Sequence, residues 1–281
     1  MTKKLLILSG LIGIAGLSAM SQALAESMEH GTGALPPKTR QAVVMPQATT
    51  QSSSQSTPPA SFDLSQWAVA PGNQGNVNSC VGWTIGHDMA GWYANWRKKS
   101  VVLFAPMYVY SQINPGRDQG VDAGAYAVDA LNLAIDQGID TAQDYSQGDF
   151  DYMDLPTKAE RSNAARYKWQ LFKEYEVLFA NENGGGGPDL TAALKLAISQ
   201  YRPVAIGMVL RPGFRNLSRS NTIDRDTTGA LSGGHEVLAV GYNSDGLIVE
   251  NHWGPKWGSN GYGVVAWNVV EHDVLEAVIA D

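Results

Sequence analysis

The chain has 281 residues, 44% of them hydrophobic and 17% charged, which excludes a disordered chain. Twenty Lys and Arg against 27 Asp and Glu leave a formal charge of −7, so there is no general attraction to phosphate backbones and nucleic acid is not expected as a partner. Thirty glycines and 13 prolines describe a loop-rich globular protein of one or two domains, and the single cysteine, Cys80, excludes an intrachain disulfide and a Cys/His zinc site.

Lys3 and Lys4 precede an apolar run from Leu5 to Met20 that is interrupted by Gly10, Gly13 and Gly16 and followed by Ala23-Leu24-Ala25. This reads as a secretory signal peptide, residues 1–25, and the protein is expected to be secreted or periplasmic. The run is short for a span of about 20 apolar residues, and no later stretch comes close, so no stable membrane anchor is expected. Residues 26–61 are rich in Ser, Thr, Gln and Pro and show neither helical nor strand periodicity. They read as a disordered tether or a short pro-segment, with Ala42-Val43-Val44-Met45 as the one apolar patch.

From Phe62 onwards apolar residues become regular, and residues 62–281 are long enough for one sizeable core or two lobes. Trp83, Met89, Trp92 and Trp96 predict a helix over 81–99 with Cys80 at its start. Further helices are expected at 106–113, 123–137, 158–172 and 190–200. Beyond Pro203 the pattern changes to short apolar runs at 204–209, 236–242, 247–250 and 262–267, separated by Gly, Asn and Asp, which predict antiparallel strands. The expected class is α+β: a helical lobe over about 62–200, a β lobe over about 201–281, and a cleft between them as the default site.

Cys80 is the natural candidate nucleophile, because the positive end of a helix dipole stabilises a thiolate, and the polar turn before it should leave the sulfur accessible. A thiol nucleophile needs a base. Of the five histidines, His30 lies in the tether and His87 is roughly 10 Å along the helix from Cys80. His272 sits in a polar Glu-His-Asp turn. His252 and Asn251 point to opposite faces if the strand continues that far, so only one of them can enter a shared site. His235 remains, following Gly233-Gly234 and opening a strong strand. If that strand pairs with the next, Asn251 can hold the His235 ring, Trp253 can shield the bond, and Gln74 can help stabilise an oxyanion.

These residues resemble the papain family of cysteine peptidases. Asn73-Gln74-Gly75 with Ser79-Cys80 resembles its cysteine segment, Gly234-His235-Glu236 through Tyr242 its histidine strand, and Glu250-Asn251-His252-Trp253-Gly254 through Gly263 its asparagine segment. The resemblance implies a two-lobe papain-like fold and an enzyme that hydrolyses peptide bonds through a thioester, with a protein or peptide as substrate. In it Cys80 is nucleophile, His235 base and acid, Asn251 orienter and Gln74 oxyanion donor. Several positions depart from the family. Val77, Asn78 and Val81 replace its Cys, Gly and aromatic residue around the nucleophile, His252 replaces its common Ser, and Glu236 stands where a small residue is usual. Glu236 and Trp253 are candidate substrate-binding residues; a negative charge at Glu236 near the groove would favour basic side chains, unless it faces solvent. The alternatives are a papain-fold binding or adhesion module with little turnover, and an amidase acting on cell-wall peptides.

No cofactor or metal is expected. The run Gly184 to Gly187 has no strand before it and no Lys-Ser/Thr after it, and Asp149, Asp151 and Asp154 lack calcium-loop spacing. Neither a Gly-x-Ser-x-Gly elbow nor a His-Glu-x-x-His helix occurs.

Overall fold

The central helix forms where the tryptophan spacing predicts it. In the computed structural model, which describes residues 30–47, 57–98, 101–168 and 170–281, helix α1 runs over Gly82–Met89 with wide π-helical winding and continues over Ala90–Lys98. Trp83, Met89 and Trp92 are buried along it. Gly82 and Gly86 let it lie close against helix α2, Pro106–Ile113; a Cβ added at either would fall 2.8 Å from an α2 atom. Helix α3, Ala127–Gln137, packs on the same pair. Helix α4, Lys158–Ala164, starts at a capping box in which Thr157 and Glu160 satisfy each other's backbone N–H.

The chain then departs from expectation. The helix predicted over 158–172 stops at Ala164, because Tyr167 and Phe172 turn inward to pack edge-on against Phe104 at 5.1 Å and Tyr93 at 5.5 Å. Strand β2, Tyr175–Ala180, follows, and it pairs with the C-terminal strand β8, Val274–Ala280. Neither strand is anticipated by the sequence reading. Helix α5, Gly187–Ser199, leads through Arg202-Pro203 into β3, Val204–Val209.

The four strands expected past Pro203 are present as β3, β5 (Gly234–Tyr242), β6 (Gly246–Glu250) and β7 (Tyr262–Ala266). They form one sheet in the order β2-β8-β3-β5-β6-β7-β4, where β4 is Ile223–Asp224 and the short β1, Phe62–Asp63, adds to β5. All pairings are antiparallel except β4 with β7. Helices α6, Pro212–Arg215, and α7, Trp267–Asp273, lie between strands. Without a disulfide, the helices and the sheet are joined by packing and buried hydrogen bonds: Tyr93 of α1 donates its hydroxyl to the Ala280 carbonyl of β8, and Trp92 Nε1 donates to Leu64 O at 3.0 Å.

The expected signal peptide lies outside the described residues, as do 26–29 and 48–56 of the expected tether. Residues 30–47 form a strap across the molecule. Its second half runs beside β2, with Gln41 and Ala180 exchanging backbone hydrogen bonds of 2.7 and 2.9 Å and Val44 N donating to Leu178 O at 2.8 Å.

Candidate active site

Strand pairing, loop stitching and helix direction bring the expected residues to one buried place. His235 is the second residue of β5, and Asn251 follows the end of its neighbour β6. As the sequence reading requires, the two side chains meet: His235 Nε2 lies 2.8 Å from Asn251 Oδ1. That contact uses one ring nitrogen and leaves Nδ1 buried without a hydrogen-bond partner among the described residues. The Trp253 ring, 4.6 Å from the imidazole, and Phe214, 5.9 Å away, exclude water from the pair.

Gln74 is positioned by its loop. Asn73 Oδ1 accepts from Gly75 N at 3.0 Å, closing a tight turn in which Gly75 takes φ +57°, and the loop is sewn to the asparagine segment by Gln74 N to His252 O and Gly254 N to Gly72 O, both 2.8 Å. The Gln74 amide oxygen accepts from Trp253 Nε1 at 3.1 Å, which turns its NH₂ group the other way, toward Val77 O at 2.7 Å and Thr32 O at 3.4 Å. Trp253 therefore has a second task, holding the Gln74 amide, and its ring is itself covered by His30, stacked at 5.1 Å.

Cys80 is not accessible as the sequence reading supposes; it is fully buried. Burial pushes its thiol well above the ordinary value, against the backbone N–H groups of Glu236, Val81 and Ala34, which act in the opposite direction. Glu236 is the neighbour of His235, so the sulfur faces the strand that carries the imidazole. His235 responds in kind: burial, then the charge of His252, push it well below its ordinary value, while the Asn251 hydrogen bond works the other way. In this state thiol and imidazole are both neutral.

The strap explains that state. Gly33 N and Ala34 N donate to Gly234 O at 3.0 and 3.2 Å, Leu35 N donates to Ala125 O at 2.9 Å, Ala125 N to Gly33 O at 2.8 Å, and Gly31 N to Gly75 O at 2.8 Å. The fit needs glycine on both sides: a Cβ at Gly234 would fall 2.3 Å from Ala34 O, and one at Gly124 2.2 Å from Gly33 O. Thr32 presents a carbonyl to the Gln74 amide, and the Ala34 backbone reaches the Cys80 sulfur. Residues 30–35 thus touch both Gln74 and Cys80.

Glu236 does not face solvent. It lies under the sheet against Gly207, whose missing side chain makes room for the carboxyl, and close to Glu276. Burial, then the Glu276 charge, push its carboxyl well above the usual range, so it is neutral here and offers no fixed charge to a substrate. Burial likewise raises Glu276 to about 7. A carboxyl raised on folding binds its proton more tightly in the folded chain, so its contribution is complete below pH 4.5 and lost as pH rises through about 7. Glu276→Gln is therefore expected to stabilise the protein by about 3 kcal/mol at pH 8 and to leave it unchanged at pH 4, measured by urea unfolding at both pH values.

The sequence reading misses two partners. His30 is assigned to the tether, yet it sits on Trp253. His252 is set against Asn251 as an alternative, yet both are fully buried, and the His252 ring lies 5.2 Å from that of His235. Among the described residues no group of His, Cys, Asp and Glu could hold a metal ion.

Comparison with known proteins agrees with this geometry. The family model described as papain family cysteine protease matches residues 58–279. A cathepsin L-like proteinase of Fasciola hepatica is 26% identical over 194 residues, covering 68% of this chain and 54% of its own length. Cathepsin K of Gallus gallus is 28% identical over 204 residues, with coverage of 70% and 55%. The chain thus spans about half the length of these relatives. Among solved structures, xylellain, a cysteine protease from Xylella fastidiosa, superposes with a TM-score of 0.72 at 18% identity, covering 90% of this chain and 96% of its own. A procathepsin B from Trypanosoma congolense superposes with a TM-score of 0.63 at 16% identity, with coverage of 92% and 87%. The helices and the largely antiparallel sheet are those of a two-lobe papain fold, and the chain belongs to the papain family of cysteine proteases.

Proposed function

We propose that the protein is an exported cysteine peptidase held inactive by its own strap. The observation that carries this is the pair of buried contacts at one place: His235 Nε2 on Asn251 Oδ1, and a backbone carbonyl of the strap on the Gln74 amide. With the strap displaced, water and substrate reach the sulfur, the desolvation that keeps both groups neutral is relieved, and the proton passes from Cys80 to His235 Nδ1. The thiolate attacks the peptide carbonyl. The oxyanion that forms rests on the Gln74 NH₂ and the Cys80 N–H, His235 protonates the leaving amine, and water activated by the same ring then releases the acyl group from sulfur. Trp253 shields the His235–Asn251 bond and forms one wall of the cleft beyond the sulfur. Glu236, next to His235, becomes a partner for a basic substrate side chain only where that side chain draws its proton off. Residues 1–25 direct export, and residues 30–47 serve as the pro-segment.

A peptide-library digest with the strap-loosened Gly33→Val chain, and with the same chain carrying Cys80→Ala, tests this directly. Cleavage confined to the chain that keeps Cys80, together with stoichiometric labelling of that residue by an epoxide, supports a peptidase. A cysteine that labels no faster than an ordinary thiol after the strap has been removed points to a binding module instead.

Asn251 acts through His235 rather than on substrate. Asn251→Ala frees the imidazole to rotate, and kcat is expected to fall about 10²-fold, the low end for a general acid–base contribution, with KM little changed. Steady-state kinetics on a fluorogenic peptide read this.

A further inference from the structure

Behind His235 lies a buried ionisable cluster that the reaction as set out above does not use. Asp88 on α1 accepts hydrogen bonds from His87 Nδ1 at 2.8 Å and from His252 Nδ1 at 3.1 Å. The His252 ring stacks on Trp83 at 6.2 Å and stands 5.2 Å from the His235 ring. Its backbone N–H donates to Asn251 Oδ1 at 2.9 Å, the same oxygen that holds His235 at 2.8 Å. One residue therefore fixes the amide that orients the imidazole and faces that imidazole with its own ring.

A buried carboxylate between two imidazoles is costly unless it is paired on both sides. Burial alone would raise Asp88, but hydrogen bonds from His252 and His87, and the charges of those rings, outweigh it and hold the carboxyl below the usual range. From β6, Glu250 is buried with neither oxygen hydrogen-bonded among the described residues, and burial, then the Asp88 charge, push it well above its usual range. From β7, Tyr262 is raised by burial and by the charges of Glu250 and Asp88. Glu250 and Tyr262 are thus both neutral, which leaves Asp88 as the anion, hydrogen-bonded by both histidine rings. On the other side of His235, Arg215 and His30 add positive potential.

We propose that His252, clamped through Nδ1 by Asp88, is a positioning residue of the Cys80–His235 pair, bracing Asn251 through its backbone and setting with its ring the pH range over which the pair is ionised. A proton on His252 disfavours one on His235 and favours a thiolate on Cys80, so it moves both limbs of the pH profile to lower pH. The proposal rests on the peptidase reading.

The test uses the full-length chain carrying Gly33→Val, in which strain at Gly33 loosens the strap. kcat/KM for a fluorogenic peptide is measured against pH and normalised to the fraction of Cys80 titrated by an epoxide inhibitor, with and without His252→Gln. Both limbs are expected to move up by about one pH unit in the variant. Limbs that stay in place while activity or stability falls would overturn the proposal, since a ring that only packs does not move them. Should the variant fail to fold, ¹⁵N imidazole titration of the wild type decides: His235 and His252 are expected to titrate as a coupled pair, each showing both steps. A His235 signal that passes through one step, or none, while His252 titrates, overturns it. Failure of the peptidase reading looks different, with no turnover and no epoxide titration even in the strap-loosened chain that keeps His252.

Discussion

His235→Ala is expected to lower kcat/KM by roughly 10³- to 10⁴-fold, and Cys80→Ala to abolish turnover. The imidazole has two separate tasks, taking the thiol proton and returning it to the leaving amine, and no second base is placed to assume them. His252 is bound at Nδ1 by Asp88, and His30 belongs to the strap and leaves with it. Because the two residues act as one unit, the double variant should be no slower than Cys80→Ala alone. The alkylation profile separates the roles further. In the strap-free wild type Cys80 should react with iodoacetamide well below the pH at which a free thiol ionises, and in His235→Ala it should react only as pH approaches about 8.5. Circular dichroism must show that the variant remains folded, since the ring fills space against Phe214 and Trp253. A His235→Ala protein that retains a tenth of the wild-type rate would remove the imidazole from the reaction.

The chemistry of the site was more legible in the sequence than its state. Cys80, Gln74, His235 and Asn251 could be picked out because each has a local signature: a polar turn before a helix, a Gly-Gly pair before a strand, and an Asn-His-Trp-Gly corner after one. Pairing β5 with β6 then sufficed to predict the His235–Asn251 contact, and the structure has it at 2.8 Å. Two of the strands that escaped notice, β2 and β8, lack such punctuation. Val274-Leu275-Glu276-Ala277-Val278-Ile279-Ala280 contains residues that suit a helix as well as a strand, and its conformation is decided by β3 on one side and β2 on the other. The strap was illegible for a related reason. Residues 30–35 have no periodicity because their hydrogen bonds go to Gly75, Ala125 and Gly234, segments far away in the sequence. A prediction that placed Cys80 at a favourable helix end, and therefore low in pKa, counted the helix and not the cover; desolvation outweighs the backbone N–H groups. His252 and Asp88 are 164 positions apart, and nothing local to either one announces the other.

Gly33→Val, a change remote from the chemistry, is expected to activate the full-length protein by about 100-fold. Gly33 has φ +112°, a conformation that a β-branched residue rarely adopts, and a Cβ there would fall 2.1 Å from Asn78 O. Asn78 cannot yield, since its N–H donates to Asp122 Oδ2 at 2.8 Å and its side chain to Asp122 O at 2.9 Å. Strain of about 1–3 kcal/mol from the backbone and a similar amount from the clash together weaken the closed strap by about 3 kcal/mol or more. At about 1.4 kcal/mol per tenfold, this raises the open population by roughly two orders of magnitude. The rest of the fold is untouched, because Gly33 acts through its contacts with Gly234, Ala125, Gly124 and Asn78. Two readouts should move together: peptide hydrolysis rises, and Cys80 alkylation becomes faster and shifts to lower pH as water returns to the sulfur. If Cys80 in Gly33→Val labels as slowly as in wild type, the thiol is buried by the core rather than by the strap, and residues 30–47 are not what holds the peptidase in check.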